Sequence, residues 1–162
     1  KSALLSAEFV IGRLSGIMQY EKLKNYERYW RANQSIEQRI MSMKSAETSV
    51  TPQAGDGSQH IGAHDPMQSV DKRIDYCASH SEEYAQNLAV MHEVDKVIAS
   101  LKDPLEREIL RLRYTDFRYG QQMSWPQVKD ALYGKTRVSR TTVYKLHDDA
   151  VHHFCGSGQD CT

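Results

Sequence analysis

Apolar side chains in this chain fall into stripes with a helical period, separated by polar faces. From Tyr20 to Met43 the apolar and aromatic positions are Tyr20, Leu23, Tyr26, Trp30, Ile36, Ile40 and Met43. Their spacings of three, four and multiples of these predict one amphipathic helix. Asn33-Gln34-Ser35 is a candidate local break inside it, and Gly12 and Gly16 weaken a continuous helix over the preceding residues 3–18. A longer stripe follows at Val70, Ile74, Cys77, Tyr84, Leu88, Met91, Val94, Ile98 and Leu101, predicting a helix of roughly 45–50 Å. A stripe this wide needs a partner. Either the 20–43 helix folds back on it as an antiparallel hairpin, or the same helix of a second copy pairs with it as a homodimer; the pattern fits both. Residues 45–66, with two prolines and three glycines, read as a loop or linker.

After Leu101 the period shortens into three small helices, each with a start signal. Asp103-Pro104-Leu105-Glu106 offers a cap, a first-turn proline and a glutamate at the third helical position. Ser124-Trp125-Pro126-Gln127 repeats the arrangement, and Ser139 caps the run that starts at Arg140. The last two helices are joined by a short turn containing Gly134, which predicts a helix-turn-helix. The expected fold class is all-α. A coiled-coil-like long-helix hairpin would occupy 1–101 with its loop at 45–67, the helix-turn-helix 102–154, and a disordered tail 155–162.

On the last helix, Val143, Leu146 and Ala150 share a face with His147 and Val151 beside it. That face is expected to pack on Ile109, Leu112, Val128 and Leu132. Arg140, Thr141, Tyr144, Lys145 and Asp148 lie opposite, behind the Ser139 cap and Thr142. The first turn of such a helix faces base edges in a DNA groove. Arg140 has the fork geometry for guanine, and Thr141 suits a thymine methyl or a phosphate. Tyr144 and Lys145, one turn on, suit phosphate or mixed contacts. Arg137, Lys129 and Lys135 are candidate phosphate clamps. Trp125 is expected to cap the small core against the end of the long helix.

Charge sharpens this picture. The whole chain has a formal net charge of zero, but residues 1–100 carry 11 Lys+Arg against 13 Asp+Glu, whereas residues 101–154 carry 10 against 7. A net of +3 on the last unit suits a few phosphate contacts, not a coat along a duplex. No apolar run approaches bilayer-crossing length, so no membrane partner is expected. Glu8 and Arg13 interrupt the apolar N-terminus, which reads against a signal peptide. Three cysteines, Cys77, Cys155 and Cys161, fit no closed disulfide framework and point to a reducing cytoplasm.

The segments LKDPLEREILRLRYTDF, SWPQVKDAL and SRTTVYKLHDDAV resemble region 4 of sigma-70-type factors over about fifty residues. With Ser49-Val50-Thr51-Pro52, Gly55-Asp56 and Asp65-Pro66-Met67 between the long helices, the whole chain resembles phage and prophage late transcriptional regulators of the ArpU and RinA type. The resemblance implies a DNA-binding regulator of phage genes in a bacterial host, with RNA polymerase as a second contact. The loop TDFRYGQQM and the turn YGKTRV are longer than the pattern, which affects the angle between the last two helices. Nothing resembles the sigma region that melts promoters.

Other chemistry is weak. His60, His64, Cys77 and His80 have a spacing that zinc accepts, but Cys77 fits the core stripe, and His152, His153 and Cys155 sit near an expected frayed end. Neither group is read as a metal site, and no cofactor is expected. Glu82-Glu83 and Asp148-Asp149 are sequence neighbours and so point to different azimuths. With no phosphate loop or nucleophile pattern, an enzyme is not expected. Two further readings stay open: a small-terminase-like DNA-packaging protein, and a factor that binds polymerase but never DNA.

Overall fold

The computed structural model describes residues 16–48, 66–117, 120–134 and 136–156. All regular structure among them is helical. A short helix α1 covers residues 16–24. It is followed by α2 (Tyr26–Thr48), α3 (Pro66–Ser100), α4 (Pro104–Leu110), one π-helical turn (Arg111–Thr115), α5 (Trp125–Tyr133) and α6 (Arg140–Gly156). No helix among the described residues is long and apolar enough to cross a membrane. The chain forms two compact units, Trp30–Leu88 and the remainder.

In the Trp30–Leu88 unit, α2 and α3 run antiparallel. Asn87 donates to the Asn33 side-chain oxygen at 2.9 Å, the Tyr84 hydroxyl to Glu37 at 2.6 Å, and Arg73 to Glu47 at 2.8 Å. As numbers fall along one helix they rise along the other. Asn33 is buried, and its amide also donates to the Tyr84 carbonyl. Its side chain is therefore committed to the neighbouring helix. The expected break at Asn33–Ser35 is absent, and α2 is continuous there. The interruption lies at Asn25, whose side chain bonds the Glu21 carbonyl at 2.8 Å and so competes with the helical ladder.

The loop expected at 45–67 is shorter at both ends. Ser45 and Thr48 bond back to carbonyls of their own helix, Glu47 holds Arg73, and α3 already includes Pro66 and Met67. Residues 49–65, with the Ser49–Pro52 and Gly55-Asp56 motifs, His60 and His64, lie outside the described residues. Ile74, expected in the core stripe, is 54% exposed. It flanks the line of α3 that faces α2, to one side of the residues that bond across.

The second unit holds the main core. Leu23, Tyr26, Val94, Ile98 and Leu101 pack with Ile109, Leu110, Leu112, Val128, Val143, Ala150 and Phe154. Gln19 and Lys22 both donate to Glu93, and the Tyr26 hydroxyl donates to Asp95 at 3.0 Å. These bonds fasten α1 and the start of α2 to the end of α3. The expected helix at 102–114 divides. The Asp103 carboxylate caps α4 by accepting from the Leu105 amide at 2.8 Å, and the ladder then widens, with the Asp116 amide bonding the Arg111 carbonyl. Such a bulge re-aims side chains. Here Leu112 and Tyr114 turn inward.

The C-terminal end also differs from expectation. α6 continues through Cys155 and Gly156, and Phe154 is almost wholly buried. The Glu106 carboxylate, itself buried, does not close a capping box; it accepts from His153 Nδ1 at 2.8 and 2.9 Å. Burial of Phe154 and this bond hold an end expected to fray. Residues 157–162 lie outside the described residues.

Candidate nucleic-acid interface

Two helix starts and the π-helical turn build the site. α5 opens at Ser124, whose amide and hydroxyl both donate to the Gln127 side-chain oxygen at 2.8 Å. It closes at Gly134, whose φ of 57° lies in the left-handed region glycine tolerates. α6 opens with the Ser139 hydroxyl accepting from the Thr142 amide at 3.1 Å, while the two hydroxyls share a bond of 2.8 Å. Ser139 and Thr142 thus bond each other, which leaves the neighbouring Arg140 and Thr141 to present the first turn.

Along α6, Val143, Ala150 and Phe154 are buried, with Leu146 and Val151 partly so. They join Ile109, Leu112 and Val128, with Leu132 packed alongside. Arg140, Thr141, Tyr144, Lys145 and Asp148 are exposed. Arg137 is exposed ahead of the cap, and Lys129 is half-buried on α5. Lys135 lies outside the described residues. Among the described residues, no ion pair engages Lys129, Arg137, Arg140 or Lys145.

Between the two helix starts lies a cleft of about 450 Å³, lined by Arg113, Ser124, Trp125, Pro126, Lys129, Asp130, Arg140, Val143 and Tyr144. Trp125 forms one wall. Its ring meets Tyr144 and His147 edge-on, each at 4.9 Å between centroids, and the Arg113 guanidinium lies over it at 4.8 Å. Arg113 also donates to the Met123 carbonyl. Trp125 therefore packs on α6 and the π-helical turn, at the edge of the core as expected. The Ser124 cap and Pro126 start α5 beside α6, which brings the indole to that helix.

Behind this wall His147 and Tyr114 meet at 3.0 Å, and His147 Nδ1 reaches Asp148 at 3.3 Å. Burial lowers the His147 pKa, against the opposing pull of Asp148. Burial likewise pushes the Tyr114 phenol up to about 12. A neutral imidazole satisfies both contacts: the phenol donates to Nε2, and Nδ1–H donates to Asp148. Asp148 thus orients His147 while its carboxylate stays exposed.

Of the histidines and cysteines with metal-like spacing, His60 and His64 lie outside the described residues. His80 Nδ1 bonds the Tyr76 carbonyl and the Ser79 hydroxyl, both at 2.9 Å, and Cys77 is half-buried. No group of three metal-ligating side chains occurs among the described residues. Sequence reasoning missed Arg113 because its direction depends on the π-helical turn, which has no distinct residue pattern. It missed the Glu106–His153 bond because the partners are 47 positions apart. Comparison with known proteins finds no matching family model, no similar curated protein and no matching solved structure. The chemistry the site offers is unpaired cations, a hydroxyl and aromatic rings around a partly apolar cleft. That combination suits a polyanion with sugar or planar groups.

Proposed function

We propose that the chain is a sequence-specific DNA-binding transcriptional regulator of the phage late-gene kind, acting in the cytoplasm of a bacterial host. In this reading α5 and α6 form a helix-turn-helix carried on a hairpin of long helices, and the partner is duplex DNA. The observation that carries it is the division of α6. Val143, Ala150 and Phe154 anchor one side, and Arg140, Thr141 and Lys145 are exposed on the other, with Tyr144 exposed beside the Trp125 ring. The first turn then faces base edges, and the cleft between the helix starts receives a backbone phosphate beside Lys129 and Arg140. RNA polymerase is the second partner in this reading, through surface that α6 does not use.

Fluorescence anisotropy of the full chain with prophage promoter duplexes, across a salt series, tests the proposal. Arg140→Ala should cost ~1–3 kcal/mol and relax base preference. Lys145→Ala should weaken all duplexes alike and flatten the salt slope by about one unit. Parental binding by both variants removes this face from the interface. Polymerase capture with no duplex binding at low salt points instead to a polymerase-only factor, and a ring-sized oligomer to a packaging protein.

A further inference from the structure

The cleft between the starts of α5 and α6 holds more chemistry than a backbone phosphate uses. Its cations are Arg113, Lys129 and Arg140, and among the described residues no ion pair engages any of them. Its lining also includes the Trp125 and Tyr144 rings and the exposed Asp130 carboxylate. A bare anion accounts for the cations only. The carboxylate repels it, and the rings offer it nothing. A duplex brings phosphate and sugar to such a cleft while its bases stay paired and stacked inside, whereas an unstacked base packs on aromatic side chains. At about 450 Å³ the cleft has the size of a small-molecule site rather than of a phosphate group.

The parts are already set in place. Arg113 lies over the Trp125 ring at 4.8 Å and is tied to the Met123 carbonyl, and Tyr144 and His147 meet the indole edge-on at 4.9 Å. A ligand that packs on this wall therefore finds it ordered, which reduces the entropy lost on binding. Arg140 precedes Tyr144 by four residues, so a cation and a ring with 41% of its surface exposed share one edge of α6. On α5, Lys129 and Asp130 are neighbours and supply a donor and an acceptor to the cleft. A nucleotide has the matching groups: a phosphate for the cations, a planar base for the rings, and amino or sugar hydroxyl donors for the carboxylate.

We propose that this cleft binds a free nucleoside monophosphate, with its phosphate on Lys129 and Arg140, its base against Tyr144 and Trp125, and a donor of the base or sugar toward Asp130. The site shares its cations with the proposed duplex contact but is tested without DNA, so either reading can fail alone. The chain has two tryptophans, and Trp30 belongs to the other unit. In the labelled full chain, adenosine monophosphate should shift the Trp125 indole N–H resonance saturably and leave that of Trp30 in place. Ribose 5-phosphate, which lacks the base, should bind at least about tenfold more weakly. Lys129→Ala should weaken both ligands. Tyr144→Ala should weaken the nucleotide alone and Tyr144→Phe should restore it, with helix content by circular dichroism unchanged throughout. No saturable shift at millimolar nucleotide overturns the proposal. So does equal affinity for the two ligands, which marks an anion site only, or nucleotide binding indifferent to Lys129→Ala and Tyr144→Ala.

Discussion

His147 shows how one side chain links stability to pH. Burial depresses its pKa, so the unfolded chain takes up the proton first. The stabilisation is complete above the ordinary value of 6.5 and is lost as pH falls from there through the depressed folded value. Denaturant midpoints should therefore drop between about pH 8 and about pH 5.5 more in the parent than in His147→Gln, whose amide can serve Tyr114 and Asp148 without titrating. Equal pH slopes would refute this. At the far end of α6, His153→Ala strips the buried Glu106 carboxylate of its donor and should cost ~1–3 kcal/mol. Glu106→Gln keeps an acceptor there and should cost less. The inward place of His147 was legible from its position beside Val143 and Leu146; its contact with Tyr114 was not, because that depends on the π-helical turn.

At the scale of elements, caps were the most legible feature, since a cap and its partner lie within a few residues. Asp103, Ser124 and Ser139 start their helices where the pattern places them. Breaks and ends were less legible, because tertiary contacts decide them. Asn33 looks like a helix breaker until Asn87 stands opposite, and Phe154 looks terminal until the core closes over it. Both have measurable consequences. Asn87→Leu leaves the buried Asn33 without its donor and should cost ~1–3 kcal/mol, much of it recovered when Asn33→Leu is added. Additive losses in chemical denaturation would contradict that coupling. Phe154→Ala should cost ~3–5 kcal/mol by opening a cavity under α4 and α6; a loss below about 1 kcal/mol would mean that the end of α6 is not part of the core.

For the whole molecule, the all-helical class followed from periodicity alone, whereas the exposure of Ile74 and the cleft beside Trp125 required two elements to be placed together. The proposed DNA-binding surface is the exposed side of α6 with the adjoining cleft. Backbone amide shifts of the labelled full chain, followed as a promoter duplex is titrated at low salt, test it most directly. The largest changes should fall at Ser124–Lys129 and Arg140–Lys145, with the buried residues of α4 nearly still. Saturable duplex binding that leaves those two segments unmoved, or no binding at all at low salt, would contradict it.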